Sequence, residues 1–387
     1  MKQTNIPEAG VPAAFKNFRS SLSVASPGRI NLIGEHTDYN LGFVLPTAID
    51  RKIYLEFSEN SSDNICNVFS EDLQAHLEFD LRNFRISTTS WHNYILGVVS
   101  EIQKTGKQLK GFDCIIRSEL PFGAGLSSSA ALECGMASGL NQLFRLGLSK
   151  VEIVELSMLA EHNYVGTKCG IMDQFASVMS REGKLIFLDC RNLDADYIRA
   201  DFRNHRILLL NSMVSHQLAE SEYNTRRQQC EQAVKVIQER FPEVSSLRDI
   251  NFNQLEQCAD ILSKVLLKRA TYVLEENLRV QKAVEAITSG DLTHFGELMY
   301  QSHEGLKSQY EVSCKEIDFL VDFARKYNIP GARMMGGGFG GCTINLIEEQ
   351  DVETFVAEIS KAYFKEYHIN LKAISVLPSE GTSLITR

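Results

Sequence analysis

Residues 112–133 read FDCIIRSELPFGAGLSSSAALE, and this stretch carries three signals of local structure. The apolar and β-branched residues of 112–119 predict a strand. The Ala- and Leu-rich continuation predicts a helix over 128–145. Between them, Gly123 and Gly125 permit close backbone approach and dihedral angles that other residues disfavour. The stretch therefore predicts a strand, a glycine-rich turn and a helix in direct succession, as part of a mixed fold.

The start of this predicted helix has the chemistry of an anion site. Three serines stand at the helix start, where unpaired N–H groups and the helix dipole favour a negative charge. Serine also caps helices in the absence of any ligand, so a plain capped helix is the alternative. The turn lacks the G-x-x-x-x-G-K-[ST] pattern, and the chain lacks the protein-kinase motifs. The candidate phosphate-binding residues are Gly123, Ala124, Gly125, Leu126, Ser127, Ser128 and Ser129.

The remaining sequence alternates between strand-like and helix-like segments, which predicts an α+β fold. Further strands are predicted at 52–57, 184–189, 206–210 and 342–347, and further helices at 151–166, 220–240, 267–288 and 352–366. The glycine-rich segments of the first half end near residue 205, where long charged helices begin. We therefore expect two domains, 1–205 and 206–387.

Composition narrows the class of function. The 387 residues carry a net charge of −9, which argues against nucleic acid as the main partner but allows a local nucleotide site. Nine cysteines without a C-x-x-C pair predict buried, reduced thiols, with neither a disulfide framework nor a zinc site. No segment approaches the ~20 apolar residues of a membrane span, and the first residues lack a signal-peptide pattern. We expect a cytoplasmic protein.

A second glycine-rich segment, RMMGGGFGGC, occupies 333–342. Gly336, Gly338 and Gly341 satisfy G-x-G-x-x-G, but a dinucleotide site requires a helix after the motif, whereas a strand is predicted there. We reject the dinucleotide interpretation. Five glycines in six residues are entropically unfavourable, which indicates a backbone packed against a ligand.

A polar cluster follows a short apolar strand in PGRINLIGEHTDYN, residues 27–40. Glu35, His36 and Asp38 are side chains of the kind that bind sugar hydroxyls, because carboxylates accept and imidazole can donate or accept hydrogen bonds. A solvated polar turn is the alternative. The position directly after an apolar strand favours a site.

Two more acidic residues stand in apolar surroundings. Glu161 falls in register with the apolar face of the helix predicted at 151–166, where a carboxylate needs a partner such as a cation. The alternative is a carboxylate at the edge of that face that reaches water. Asp173 is the lone acid of CGIMDQF, residues 169–175, and could instead be a helix N-cap.

These segments together resemble the GHMP kinase family, and within it the members that phosphorylate galactose. The similar segments are GRINLIGEHTDYN (28–40), WHNY (91–94), PFGAGLSSSAALE (121–133), AEHNYVG (160–166), CGIMDQ (169–174), SEYNTRRQQC (221–230), KRATYVLEENLRV (268–280), SHEGLKSQYEVSC (302–314) and RMMGGGFGGC (333–342). Ala332 and Met335 depart from the family's third motif, which usually has Ser and Thr there. The resemblance covers nearly the whole chain.

The resemblance implies a two-domain α+β architecture with the active site in the cleft between the domains. It also implies transfer of a phosphoryl group from ATP to the C1 hydroxyl of galactose with the help of Mg²⁺. Kinases of N-acetylgalactosamine or arabinose and a non-catalytic galactose sensor are the alternatives. The expected partners are small molecules, with no nucleic acid and no membrane, and the expected state is a monomer or weak oligomer.

The resemblance also implies a role for each matching residue. Asp173 would be catalytic, and Arg29 would lie between it and the phosphates and keep its carboxylate ionised. The sugar would be held by Glu35, His36, Asp38, Gly170, Asp173 and Tyr223. Gly123 to Ser129 would wrap the phosphates of ATP, with Trp91 and Asn93 on the adenine side. Ser129 and Glu161 would hold Mg²⁺.

Overall fold

The computed structural model describes residues 12–121, 123–215 and 219–385. Helices and sheets are interleaved along the chain, which confirms the α+β prediction. The strands of the described residues are β1 (Leu22–Asn31), β2 (Phe43–Val44), β3 (Pro46–Glu59), β4 (Ile65–Ser70), β5 (Ala75–Asp80), β6 (Phe112–Ser118), β7 (Lys184–Asp189), β8 (Asp194–Arg199), β9 (His205–Ser215), β10 (Gly331–Met334), β11 (Gly340–Glu348), β12 (Lys372–Val376) and β13 (Ser383–Leu384).

The α-helices of the same residues are α1 (Ser90–Lys104), α2 (Ser128–Leu143), α3 (Lys150–Ala160), α4 (Met172–Met179), α5 (Ala219–Ile237), α6 (Phe252–Gln257), α7 (Lys264–Ser289), α8 (Leu292–Ser308), α9 (Lys315–Lys326) and α10 (Val352–Tyr367). Every predicted strand and helix overlaps an observed one of the same type, but β3 begins six residues before its predicted start and β9 ends five residues beyond its predicted end. One predicted helix also differs in kind. The helix predicted at 151–166 ends at Ala160 and continues as a π-helical turn, Glu161–Val165.

The first sheet has the strand order β13-β1-β3-β6-β4-β5, and all of its pairs are antiparallel except β4 with β6. Helix α2 lies unusually close to β1 and β3. A Cβ on Gly139 would stand 2.1 Å from the Phe57 ring, and one on Gly135 would stand 2.5 Å from Leu55. Only glycine allows α2 to approach the sheet so closely. The helix and its N-terminal turn are therefore packed directly against β1 and β3.

The second sheet has the order β10-β11-β9-β12 and is antiparallel throughout. Its central strand β9 is buried on both faces, and alternate residues belong to different hydrophobic clusters. Ile207 and Leu209 belong to the large core shared with the first sheet. Leu208 and Leu210 pack in the cluster that contains the apolar faces of α9 and α10. A small third sheet has the order β2-β7-β8.

The glycine-rich segment at 336–341 connects β10 to β11, which form an antiparallel pair. A strand follows it rather than a helix, which agrees with the rejection of a dinucleotide site. Seven of the nine cysteines are buried, as their apolar surroundings predict. Within the described residues, no helix is both long and apolar enough to cross a membrane.

Candidate active site

A bidentate ion pair joins Arg29 to Asp173, although the two residues are 144 positions apart. Arg29 lies on β1 beside a register shift between Pro27 and Arg29, a kind of irregularity that re-aims a side chain. Its Nε and Nη2 atoms donate to the two Asp173 carboxylate oxygens at 2.6 and 2.8 Å. Its Nη1 donates to the carbonyl oxygen of Gly125 at 2.7 Å. The Arg29 guanidinium therefore holds Asp173 against the predicted phosphate-binding segment, residues 123–129, which is called the phosphate loop below.

Asp173 lies in the first turn of α4, so it is inside the helix and the N-cap position belongs to Ile171. The Ser127 hydroxyl donates to the Asp173 Oδ2 atom. With the two guanidinium bonds from Arg29, the carboxylate accepts three hydrogen bonds, which together fix its position.

The phosphate loop has the backbone of an anion cradle. Gly123 and Gly125 have φ of 68° and 72°, and Ser127, which directly precedes α2, has φ of 53°. Arg29 N–H donates to the carbonyl oxygen of Leu126 at 3.1 Å, which ties the loop to β1. The first N–H groups of α2 thus stand beside the Arg29–Asp173 pair, where an anion would be stabilised.

The sugar-binding candidates of 34–40 gather near the same pair. A Cβ on Gly170 would lie 2.2 Å from the Asp38 carboxylate, so the backbone at 170 touches this acid. Burial raises the pKa of Asp38 to about 7, and the nearby Asp173 adds to the shift. The His36 and Tyr223 rings lie 5.2 Å apart between their centroids, and Tyr223 comes from α5. The structure therefore brings these candidates together.

Glu35 is almost fully buried and makes several contacts with protein. Its Oε1 accepts from Arg333 at 3.1 Å and from the Gly336 N–H at 2.8 Å. Its Oε2 accepts from Asn31 at 3.0 Å. A carboxylate has about four lone-pair sites, so one position remains for a ligand. Glu35 therefore also joins the segment of residues 27–40 to the glycine-rich segment at 333–342.

Glu161 begins the π-helical turn and is buried, which excludes the water-exposed alternative. Its Oε2 accepts from Gln174 at 3.0 Å, and the Cys169 thiol lies 3.7 Å from the same oxygen. Burial raises the pKa of Glu161 to about 7, Asp173 adds to the shift, and a hydrogen bond from Ser129 opposes it. The two residues predicted to hold a metal therefore lie near each other.

Trp91 and Asn93 stand apart from this network, in the first turn of α1. The Asn93 side chain exchanges two hydrogen bonds with the backbone of Ser87, and the Trp91 ring packs against His92. A cleft of about 440 Å³ runs along the same helix and is lined by His76, Glu78, Arg85, Ser87 and His92, among others. Among the described residues, no hydrogen bond joins Trp91 or Asn93 to the phosphate loop.

Three family models match the chain. One described as the galactokinase galactose-binding signature matches residues 13–59, the GHMP kinases N terminal domain matches 93–181, and the GHMP kinases C terminal model matches 283–365. The galactokinase of Thermosipho africanus (strain TCF52B) is 43% identical over 365 residues, which cover 94% of this chain and 100% of that protein. The chain belongs to the galactokinase family.

Other comparisons agree with this membership. A galactokinase of Thermotoga maritima is 40% identical over 94% of this chain and 100% of its own length. The crystal structure of Lactococcus lactis galactokinase complexed with galactose superposes with a TM-score of 0.90, at 34% identity and 94% coverage of both chains. A mevalonate kinase, at 20% identity and a TM-score of 0.62, shares the fold. The expected GHMP kinase architecture is confirmed.

Two buried charged residues that support the galactokinase motifs were not identified from the sequence. Arg333 has no exposed surface and donates to the carbonyl oxygens of Leu32 and Met334 as well as to Glu35. Glu276 of α7 accepts from the Gly34 N–H at 2.9 Å. A charged residue three positions before a run of glycines was a usable signal for Arg333, whereas Glu276 lies among ordinary helical charges.

The two departures from the family's third motif are both buried. Ala332 has no exposed surface and Met335 is 1% exposed. Met335 packs in the large core, and its backbone N–H donates to Cys342 across the β10–β11 pair. An apolar residue at each position is therefore compatible with its surroundings.

Proposed function

We propose that this chain transfers the γ-phosphoryl group of ATP to the C1 hydroxyl of galactose. The single observation that carries the proposal is the position of Asp173, which Arg29 clamps beside the phosphate loop and which adjoins the Asp38–Gly170 contact. A carboxylate between a sugar pocket and a phosphate cradle is an arrangement that suits phosphoryl transfer to a hydroxyl.

Asp173 would accept a hydrogen bond from the C1 hydroxyl and orient its oxygen toward the phosphorus. Three of the carboxylate's acceptor positions are occupied by Arg29 and Ser127, which leaves one on Oδ1 for the substrate. As the hydroxyl attacks, Asp173 receives its proton. Arg29 stabilises the negative charge that develops near the transferred group.

The nucleotide phosphates would lie on the cradle of Gly123, Ala124, Gly125, Leu126, Ser127, Ser128 and Ser129. Its glycine φ angles and the N-terminus of α2 favour an anion there without a Walker lysine. Trp91 and Asn93 would line the adenine side, next to the cleft along α1.

We further propose that the site works with Mg²⁺. The oxygens of Ser129 and Glu161 are hard ligands that lie near each other, which suits an ion that takes few protein ligands and completes its shell with water and phosphate oxygens. Bound there, the ion would neutralise charge on the transferred phosphate. Gln174 orients the Glu161 carboxylate toward this position.

The sugar would be held by Glu35, His36, Asp38, Tyr223 and the Gly170 backbone, next to Asp173. Galactose is favoured over N-acetylgalactosamine and arabinose because the family match includes the galactose-binding signature at 13–59. A non-catalytic sensor is not favoured, since the serines of the phosphate loop, Glu161 and Asp173 are all present.

The test is an ADP-coupled assay with galactose, N-acetylgalactosamine and arabinose, each with and without Mg²⁺. We expect turnover of galactose that depends on Mg²⁺, with the product identified by ³¹P NMR as the 1-phosphate. Asp173→Asn serves as the matched inactive control. Binding of galactose without any turnover would support the sensor instead, and preferred turnover of another sugar would replace galactose as the substrate.

We also propose that the protein acts in the cytoplasm as a monomer or weak oligomer without nucleic-acid or membrane partners. The net charge of −9 supports the absence of a nucleic-acid partner. We propose a division near residue 205, between 1–205 and 206–387, because β9 at His205–Ser215 is the first strand of the second sheet along the chain. Limited proteolysis with light scattering tests both the division and the oligomeric state.

A further inference from the structure

A chain of hydrogen bonds runs from helix α5 to the glycine-rich loop and passes through His36. The Cys230 thiol contacts the Tyr310 hydroxyl at 3.1 Å, and Tyr310 contacts the Tyr39 hydroxyl at 2.8 Å. Tyr39 contacts His36 Nδ1 at 2.8 Å, and His36 Nε2 contacts the carbonyl oxygen of Gly337 at 3.2 Å. Four separate segments of the chain are connected in this way.

The Gly337 carbonyl oxygen at one end of this hydrogen-bond series determines which atom donates in every bond of the series. A carbonyl oxygen only accepts, so His36 Nε2 carries a proton that it donates to Gly337. Burial lowers the pKa of His36 to about 3, so the ring is neutral and its Nδ1 is a bare acceptor. Tyr39 must then donate to Nδ1. Because Tyr39 has used its only hydroxyl proton, it accepts from Tyr310, which accepts from the Cys230 thiol.

The residues around this hydrogen-bond series exclude water from it and hold the His36 ring in position. Cys230 and Tyr310 are 1% and 0% exposed, and Cys230 remains a neutral thiol because burial raises its pKa to about 11. The His36 ring packs against Tyr310 and Tyr223, with centroids 4.9 and 5.2 Å away. His36 itself has a φ of 61°, a conformation that a residue without glycine's freedom holds only when its neighbours enforce it.

We propose that Tyr39 is a positioning residue that fixes His36 as the neutral tautomer with its proton on Nε2, whereas Tyr310 and Cys230 only satisfy the remaining acceptor oxygen of this hydrogen-bond series. In that form the Nε2 atom of His36 can only donate. Its hydrogen bond to the Gly337 carbonyl oxygen holds the glycine-rich loop against the segment that contains His36. A sugar oxygen can take the same proton only by displacing that carbonyl. The inference rests on the proposed function, since it assigns this donor to the galactose pocket.

The variant that tests the proposal is Tyr39→Phe, which removes the only donor to His36 Nδ1 among the residues that the structure describes. Loss of one buried hydrogen bond should raise the KM for galactose about five- to tenfold and leave the KM for ATP within about twofold. The matched control is Tyr300→Phe. Tyr300 is also partly buried and its hydroxyl also bonds at 2.8 Å, but to the Ile329 carbonyl in another cluster. The control should leave both constants within about twofold.

A second variant separates positioning from packing. In Tyr310→Phe, Tyr39 keeps its proton and still donates to His36, so the KM for galactose should change less than about twofold. The protein should nevertheless lose stability, because Tyr310 is fully buried. A galactose KM that rises as much in Tyr310→Phe as in Tyr39→Phe would overturn the proposed direction of the chain.

The tautomer can be measured without activity, by ¹⁵N NMR of histidine-labelled protein with the His36 signals assigned through their loss in His36→Asn. We expect a protonated Nε2 and a bare Nδ1 in the wild type, and loss of this single form in Tyr39→Phe. A wild-type ring protonated on Nδ1 would overturn the inference. If the wild type fails to phosphorylate galactose, the proposed function falls, while the NMR result still decides the tautomer.

Discussion

Adding one methyl group at Gly170 tests whether the Asp38 carboxylate lies in the sugar pocket. A Cβ built on Gly170 would stand 2.2 Å from both Cγ and Oδ2 of Asp38, a separation that real side chains do not adopt. Gly170 is not among the residues with a positive φ, so alanine suits its backbone. The three atoms nearest to this Cβ all belong to Asp38, so in Gly170→Ala the Asp38 carboxylate must move.

The size of the effect follows from the overpacking. Forcing a methyl into a filled space costs about 1–3 kcal/mol. Asp38 is 6% exposed and has little room to move without losing its position. If the displaced Asp38 carboxylate no longer contacts the sugar, the free energy of galactose binding becomes less favourable by a similar amount. At about 1.4 kcal/mol per tenfold, the KM for galactose should rise about 5- to 150-fold, with the KM for ATP nearly unchanged.

The assay is steady-state kinetics of Gly170→Ala, Asp38→Ala and the double variant. In the Asp38→Ala background the methyl meets no carboxylate, so Gly170→Ala should then change the galactose KM by less than about twofold. Such non-additivity is the signature of direct contact. The reasoning is refuted if Gly170→Ala alone leaves the galactose KM unchanged, or if its effect is equally large without the Asp38 carboxylate.

Three further predictions concern the acidic residues. Asp173→Asn should lower kcat about 10²- to 10⁴-fold while the enzyme still binds galactose; turnover within a few fold of wild type in the ADP-coupled assay would contradict its role. Glu161→Gln should raise the Mg²⁺ concentration needed for half-maximal rate at least about tenfold, since a charged ligand is lost; an unchanged Mg²⁺ titration would remove Glu161 from the metal site. Burial raises the pKa of Asp38 from 3.8 to about 7, so the folded state is destabilised as pH rises through that window. Asp38→Asn should therefore gain stability relative to wild type between pH 4 and pH 8, by at most about 4 kcal/mol. Urea unfolding at both pH values measures this, and an equal difference at the two would contradict it.

The sequence was informative wherever local chemistry determines structure. The glycine-rich turn before Ser128 and the alternating apolar pattern of β3 depend on nearby residues, so their elements could be predicted. Glu161 was recognised by its position on an apolar face, and it is indeed buried. Helix α9 was not predicted, although its sequence is strongly amphipathic. Its apolar stripe is short and has charged residues at both ends, which makes the helical pattern hard to recognise.

Contacts between distant segments could not be predicted from pattern alone. Nothing local to Arg29 or Asp173 reveals that their side chains meet, because the meeting depends on the irregular pairing of β1 and on the seating of α4. The same holds for Arg333, whose partners at Asn31, Leu32 and Glu35 lie some 300 positions earlier. Resemblance identifies the motifs, but the hydrogen bonds between them depend on how distant segments fold together.

The pairing of β13 with β1 has a consequence for biosynthesis. Leu384 lies opposite Val24, and the Ile385 N–H donates to the carbonyl oxygen of Ser23, so the strand that carries Arg29 gains its second neighbour from residues near position 384. A ribosome must translate the chain as far as about Leu384 before that strand is flanked on both sides. Nascent chains arrested at residue 370 should therefore leave this edge open to other strands, and chaperones that shield such edges should bind them until synthesis proceeds.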